Sequence, residues 1–492
     1  MKEIKRKPVF ALFVSNRTTF PQEIVRAAME EVSAALERNG LGCLKSFPVS
    51  DDAEGRRYAD FLERNREKFD GVIAVFPNFG DEGSTFTSLR DAGVPILFQA
   101  YPDQLDQMHI SFRRDSFCGK ISAVNLFRQA GIPCTVFPPH TVHPDTPAFD
   151  RNLRDFASVC RIVKGMKRVR CGSIGARCTP FKTVRFDETA LERYGISNEA
   201  FDFSEVFQRY REQKANTKSV RELCEKYRNY AIWPKDSEEA LKRIAMLTKV
   251  IQDMIEDYQL DLITLRCWTE LEKEFRISPC AILSFLNDHG TVANCEVDTI
   301  NALAMRMLSL AADASAACLD WNNNYGDNEN ACVLFHCGPT AACLMQKKGR
   351  IVDHPMFARV LGKGNGFGCN EGRMKPGVFT CAGGYTREGK LTFFLDQGRF
   401  LKKQLPGSIA AQLFSSEGQS RSKTGISSIG AFTETVRPPS RISSLFTFFQ
   451  RPAGRYTFRS NTIRCRTGAT RYFAPNMYWS CSSQHFASSG NS

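Results

Sequence analysis

The sequence predicts an α/β protein in which two doubly wound α/β domains precede a β-rich C-terminal domain, and three observations carry that expectation. Short apolar runs alternate with helical spacing over the first 145 residues, which implies βαβ units and a parallel sheet covered on both faces. The alternation resumes near Arg170. From Ser315 onward helical spacing gives way to strand patterns, and the glycines from Gly362 to Gly384 suit turns and bulges. At 492 residues the chain exceeds what one core can hold. The expected domains are 1–165, 166–312 and a partial β-rich domain over 313–400, followed by a basic Ser/Arg-rich tail over 401–492.

Element by element, Val9 to Val14 is an apolar run that reads as a strand, and Glu23 to Glu37 has the spacing of a helix. Gly71 to Phe76 and Pro95 to Gln99 read as buried strands, and Lys120 to Gln129 as a helix stopped by Gly131. Ligands of such sheets collect at the carboxyl ends of the strands. Those ends are Ser15 to Arg17, Pro77 to Gly83, Gln99 to Gln104 and Phe137 to Asp145, so Asp81, Glu82, His140 and His143 are candidates by position. The run CGSIGARC from Cys171 could turn backbone N–H groups toward an anion, although a glycine turn with a solvated arginine is the plainer reading. Helices dominate from Phe203 to Tyr258, Asp261 to Arg266 reads as a strand, and Ile277 to Asn287 as a helix. Apolar residues at 300, 303, 304, 307 and 308 predict an amphipathic helix over Asp298 to Ala311. Strands are expected at Ala317 to Trp321, Ala331 to His336, Val378 to Cys381 and Leu391 to Leu395.

The net charge of +13 suggests nucleic-acid binding until it is located. Residues 401–492 hold twelve Lys or Arg against two acidic residues, leaving only +3 for the body, so no diffuse basic surface is expected there and nucleic acid is not an expected partner of the folded body. That last segment also contains 17 serines and no aspartate, and no apolar period lasts a full element. It reads either as a disordered basic tail or as the product of an altered reading frame that replaces the end of the β domain. No apolar run approaches a membrane span, and Met1 to Pro8 is a charged leader, so a cytoplasmic location is expected. The 18 cysteines never form CxxC, which argues against a zinc ribbon or disulfide framework and for small core residues.

Chemistry concentrates between Cys295 and Pro339. Glu296 and Asp298, then Asp320, Trp321 and Asn322 to Asn324, then His336, supply the oxygen and imidazole groups that a divalent cation takes. Glu296 and Asp320 are 24 residues apart, and Asp320 and His336 are 16, so the three could converge at strand ends. Glu296 also stands just before a helix, where free N–H groups favour a carboxylate.

These residues carry a resemblance. CEVDTINALAM around Glu296, CLDWNNNY around Asp320, FHCGPTA around His336, and the stretches DSFCGKISAVNLFRQAGIPCT and GSIGARCTPFKTVRFDETALERYGI are similar, in this order over about 390 residues, to the L-fucose isomerase and L-arabinose isomerase superfamily, most of all to its fucose isomerase branch. The resemblance implies two α/β domains and a barrel-like third, and an aldose–ketose isomerase of carbohydrate metabolism that works through a cis-enediol with a divalent metal, Mn2+ foremost. Glu296 and Asp320 match the positions of metal ligands that double as the acid–base pair, and His336 is similar to a histidine ligand. Trp321, Asn322, Asp81, Glu82 and Asp115 are the expected substrate contacts, the last three acting across a trimer or hexamer. The family closes its metal site with a histidine late in the C-terminal domain, whereas the one histidine here after His354 is His485, in a context unlike the family's. Either His336 substitutes or the site is incomplete, and an impaired sugar-binding homologue is therefore the alternative.

Overall fold

The computed structural model describes residues 7–402 and the segments 411–413, 429–434, 463–464 and 470–471. The first domain is built from β1 (Val9–Val14), α1 (Glu23–Arg38), β2 (Gly42–Leu44), α2 (Asp52–Arg64), β3 (Gly71–Phe76), α3 (Glu82–Leu89), β4 (Ile96–Ala100), α4 (Ser116–Gln129) and α5 (Pro147–Met166). Its four strands form a parallel sheet in the order β2-β1-β3-β4. Because successive side chains point to opposite faces, Phe10, Leu12 and Val14 pack on one side with α1 and α5, while Ala11 and Phe13 pack on the other with Tyr58 and Phe127. Burial on both faces explains why these strands read as unbroken apolar runs.

The second domain repeats the plan with β5 (Val169–Ile174), α6 (Glu188–Glu192), β6 (Ile196–Phe201), α7 (Phe203–Glu212), α8 (Lys218–Tyr230), α9 (Glu238–Asp257), β7 (Leu262–Leu265), α10 (Glu270–Phe275), α11 (Cys280–Asp288), β8 (Val292–Cys295) and α12 (Thr299–Ala312). Its parallel sheet runs β6-β5-β7-β8. The third domain contains β9 (Ala316–Tyr325), β10 (Asn328–Phe335), β11 (Arg350–Asp353), α13 (Pro355–Leu361), β12 (Phe367–Glu371), β13 (Gly377–Arg387), β14 (Lys390–Phe400), β15 (Ala411–Leu413) and β16 (Ile429–Glu434). Six of these strands close an antiparallel barrel, β10-β15-β14-β13-β16-β9. Two barrel strands thus come from beyond residue 400, within the stretch read from sequence as a tail; most of that stretch, His485 included, lies outside the described residues.

Helix α12 joins the three parts. It differs from the expected amphipathic helix in being buried all round, from Thr299 through Leu308 and again at Leu310, as a helix inside a large core must be. Its one charged residue, Arg306, is satisfied rather than solvated. The Arg306 guanidinium donates to the Gly165 carbonyl at 2.9 and 3.1 Å and to the Asp261 carbonyl at 3.0 Å, and pairs with the Asp261 carboxylate at 3.0 Å. At its C-terminal end, Ser158 and Arg161 of α5 donate to the carbonyls of Ala311 and Leu310, groups that a helix leaves without internal partners.

Candidate functional site

The site forms where β8 turns into α12 against the outer face of β9. Asp298 caps the helix, accepting from the Asn301 N–H at 3.1 Å and from the Asn301 side-chain amide at 2.7 Å. The position that sequence assigned to an N-terminal carboxylate is therefore taken by Asp298 rather than Glu296. Glu296 lies one step earlier, in a turn where it and Val297 both adopt left-handed backbone, with φ of +62° and +59°. Two such non-glycine residues cost roughly 1–3 kcal/mol each and persist only where surroundings over-determine them. Here the Asp298 and Thr299 N–H groups bond back to the carbonyls of Cys295 and Val297, and Asn294 donates to the Asp298 carbonyl at 3.0 Å.

Strand alternation brings the second carboxylate in. On β9, Ala316 and Cys318 pack with α12, whereas Ala317, Leu319 and Trp321 pack with Leu334 and Phe379 in the cluster on the other face. Asp320 has the parity of Ala316 and Cys318, so it faces the start of α12. Its register partner on β10 is Phe335, which delivers His336 next to it. The buried Cys318 thiol feels Asp298, Asp320 and Glu296 together.

The electrostatics bear out this convergence. Burial, then Asp320, Cys337 and Asp298, raise the Glu296 carboxyl to about 7 against the pull of His336. Burial raises Asp298 to about 6 despite its bonds from Asn301, and burial likewise raises Asp320. For His336 burial alone would favour the neutral ring; Cys337, Asp320 and Glu296 outweigh it and raise the imidazole to about 10. Three acids and an imidazole in one buried space, with pKa values pushed toward and apart from neutrality, can hold and move protons near pH 7. The donor chemistry, two carboxylates and an imidazole, is of the kind a hard divalent cation takes. Among the described residues, however, no group of three or more His, Cys, Asp or Glu side chains is arranged so that it could hold a metal ion.

The other expected contacts lie elsewhere. Trp321 points away from Asp320 into the second cluster, and Asn322 is exposed. Asp81 caps α3, accepting from the Ser84 N–H at 2.7 Å, with Arg17 at 3.8 Å; Glu82 is exposed in the first turn of that helix. Asp115 precedes α4 in left-handed backbone and pairs with Arg113 at 2.9 Å. All three sit at the carboxyl ends of the first sheet, and the loop before Asp81 is tied down by contacts of its own: Asn78 bonds to Asn16 at 3.0 Å, and the Arg17 guanidinium lies 4.3 Å over the Phe79 ring. Of the two histidines there, His140 stacks on Phe117 and His143 meets Tyr101 edge-on and bonds to Asp145. In the CGSIGARC loop the Arg177 guanidinium is spent on the carbonyls of Cys178, Thr179 and Phe181, which favours the glycine-turn reading. Sequence reasoning missed Cys337, which adjoins His336 and whose thiol is pulled down by hydrogen bonds from Cys280 and Cys369; its place directly after His336 was the available signal.

Fold and site together define a mixed α/β protein with a buried cluster of acids and an imidazole at the junction of its second parallel sheet and a terminal antiparallel barrel. Residues 11–167 match the family model described as the fucose/sulfoquinovose isomerase N-terminal domain. A sulfoquinovose isomerase from Priestia aryabhattai is 24% identical over 203 residues, 41% of this chain and 45% of that protein. One from Priestia megaterium (strain ATCC 12872 / QMB1551) matches to the same extent, and one from Alkalicoccus urumqiensis is 25% identical over 207 residues, 42% of this chain and 46% of its own length. The chain therefore spans somewhat under half the length of the curated relatives it matches. No helix among the described residues is long and apolar enough to cross a membrane.

Proposed function

We propose that the chain is a sugar isomerase that interconverts an open-chain aldose and its ketose through a cis-enediol. The observation that carries this reading is that Glu296, Asp320 and His336 are buried close enough to shift one another's charge, and the similarity to sulfoquinovose isomerases supports it. Moving a carbonyl from C1 to C2 takes a proton from C2 and returns one to C1. A carboxyl held near neutrality both accepts and releases a proton at little cost, and Glu296 is so held. In this reading Asp320 and His336 orient the sugar oxygens and balance the charge that develops on them. Glu296, Asp320 and His336 are the donors a divalent metal, Mn2+ foremost, would draw on, and they would have to close up from their present arrangement to hold it; when bound it would supply Lewis-acid stabilisation of the enediolate. Sulfoquinovose is the first substrate to try. A homo-oligomer, trimer or hexamer, is part of the same proposal, and the exposed Leu105, Ile110 and Phe112 near Asp115 support a contact between copies.

The test incubates the full chain with sulfoquinovose, L-fucose or L-arabinose in D2O, with added Mn2+ and with a chelator, and follows ketose and deuterium at C2 by NMR. Ketose formation with solvent deuterium in the remaining aldose is expected. Neither signal from any sugar would refute isomerisation. The second reading, a sugar-binding homologue without turnover, is favoured by the lack of a three-donor group among the described residues; it requires calorimetric binding of one of these sugars without ketose.

A further inference from the structure

Three thiols from distant parts of the sequence meet beside His336. Cys280 is the first residue of α11, Cys337 follows β10, and Cys369 lies in β12. The sulfurs of Cys280 and Cys337 are 3.8 Å apart, in van der Waals contact across 57 residues of chain. Both also interact with the Cys369 thiol. Close-packed backbone holds them there. The Ser278 N–H bonds to the Phe367 carbonyl at 2.8 Å, and a Cβ on Gly368 would come within 1.9 Å of the Ser278 carbonyl oxygen. Gly338, at φ +131°, leaves room for only a hydrogen where a Cβ would meet the Asn370 nitrogen at 2.5 Å. The turn that carries Cys337 is thus pressed onto the strand that carries Cys369. Access distinguishes the three: Cys280 and Cys369 are buried, at 2% exposure each, and Cys337 is half-buried.

We propose that Cys337 and Cys280 form a reversible thiol–disulfide site, with a low-molecular-weight disulfide as its oxidant. Cys337, the least buried of the three residues, loses its proton and attacks one sulfur of the oxidant; the oxidant's S–S bond breaks, a mixed disulfide forms on Cys337, and one small thiolate leaves and takes up a proton. Cys280 then loses its proton and attacks the Cys337 sulfur, releasing the second small thiol. Two protein thiols are oxidised, and one small disulfide is reduced to two thiols. A disulfide requires the sulfurs to close to about 2.05 Å, so one or both side chains must move from their present 3.8 Å contact. The Cys337 N–H donates to the His336 ring at 3.0 Å, so movement of Cys337 shifts the imidazole beside Glu296 and Asp320. That last consequence, and only that, rests on the function proposed above.

The test treats the full chain, reduced beforehand, with oxidised glutathione, blocks remaining thiols with N-ethylmaleimide and maps peptides by mass spectrometry without reduction. The expected product joins the Cys280 and Cys337 peptides with loss of two hydrogens and is reversed by dithiothreitol. Cys280→Ser should stop the reaction at glutathione bound to Cys337, and Cys369→Ser should leave the link intact. A Cys337–Cys369 link, glutathione retained on Cys337 of the unaltered chain, or no reaction at Cys337 would each overturn the proposal, and these readouts on the unaltered chain need no variant to fold. Where the chain isomerises a sugar, turnover should fall at least about tenfold in the linked form and return on reduction; turnover unaffected by complete linkage would overturn the coupling to His336. An inactive chain that still forms the link refutes the isomerase reading alone.

Discussion

Glu272 should make the second domain lose stability as pH rises through neutrality. It lies in α10, is fully buried, and neither of its carboxyl oxygens has a hydrogen-bond partner among the described residues. Burial raises it from 4.5 to about 8, with Glu270 and Cys337 adding to the effect and its own backbone N–H and Arg266 opposing it. Between these two values the folded protein holds a proton that the unfolded chain releases, so the stabilising contribution is complete below 4.5 and is lost as pH climbs through about 8. Integrating that difference from about pH 5.5 to about pH 8 gives a loss of roughly 3 kcal/mol. Glu272→Gln replaces the protonated acid by a near-isosteric neutral group. The variant should match the parent near pH 4, and the gap between them should widen by roughly 3 kcal/mol between about pH 5.5 and about pH 8. In urea unfolding followed by circular dichroism, that is a midpoint difference of about 1 M for a slope of about 3 kcal/mol/M. Parallel pH profiles for the two proteins would refute the reasoning, because they would mean that the carboxyl reaches water or an unseen cationic partner.

Three further outcomes follow from the packing around α12 and α4. Asp298→Ala removes the cap of α12 and should cost about 1–2 kcal/mol in urea unfolding, while Asp298→Asn, which keeps an acceptor, should recover most of it; equal losses would mean that the charge and not the cap matters. Arg306→Leu leaves the Gly165 carbonyl without its donor and should cost about 2 kcal/mol, measured as a lowered thermal midpoint, with Arg306→Lys recovering little because one ammonium cannot serve both Gly165 and Asp261. Gly119→Ala puts a Cβ 1.5 Å from the Phe79 carbonyl oxygen, forcing α4 off the Pro77–Gly83 loop; a cost of about 3 kcal/mol or more is expected, and near-normal stability would show that the loop yields freely.

Much of this architecture was legible locally. The runs Val9–Val14 and Gly71–Phe76 coincide with β1 and β3, because a strand buried on both faces writes its whole length in apolar residues. The helices at Glu23 and Glu238 bury one face while the other stays polar, a pattern that a 3.6-residue period exposes. Strand β6, Ile196–Phe201, offered no such signal: only Ile196 is fully buried, so nothing required alternation. Glu296, Asp320 and His336 stood out as chemistry-bearing residues near strand ends, and their spacing allowed convergence without requiring it.

What only tertiary structure decided is which of these groups face one another. The parity of β9 turns Asp320 toward α12 and Trp321 away from it, and parity depends on where pairing with β10 begins, a register no local pattern records. The N-cap passed to Asp298 and left Glu296 in strained left-handed backbone, a choice made by the turn geometry between β8 and α12. The contact between Cys280 and Cys337 was invisible for the same reason: residues far apart in sequence meet through the packing of whole elements, while composition and periodicity report only what each residue needs from its neighbours along the chain.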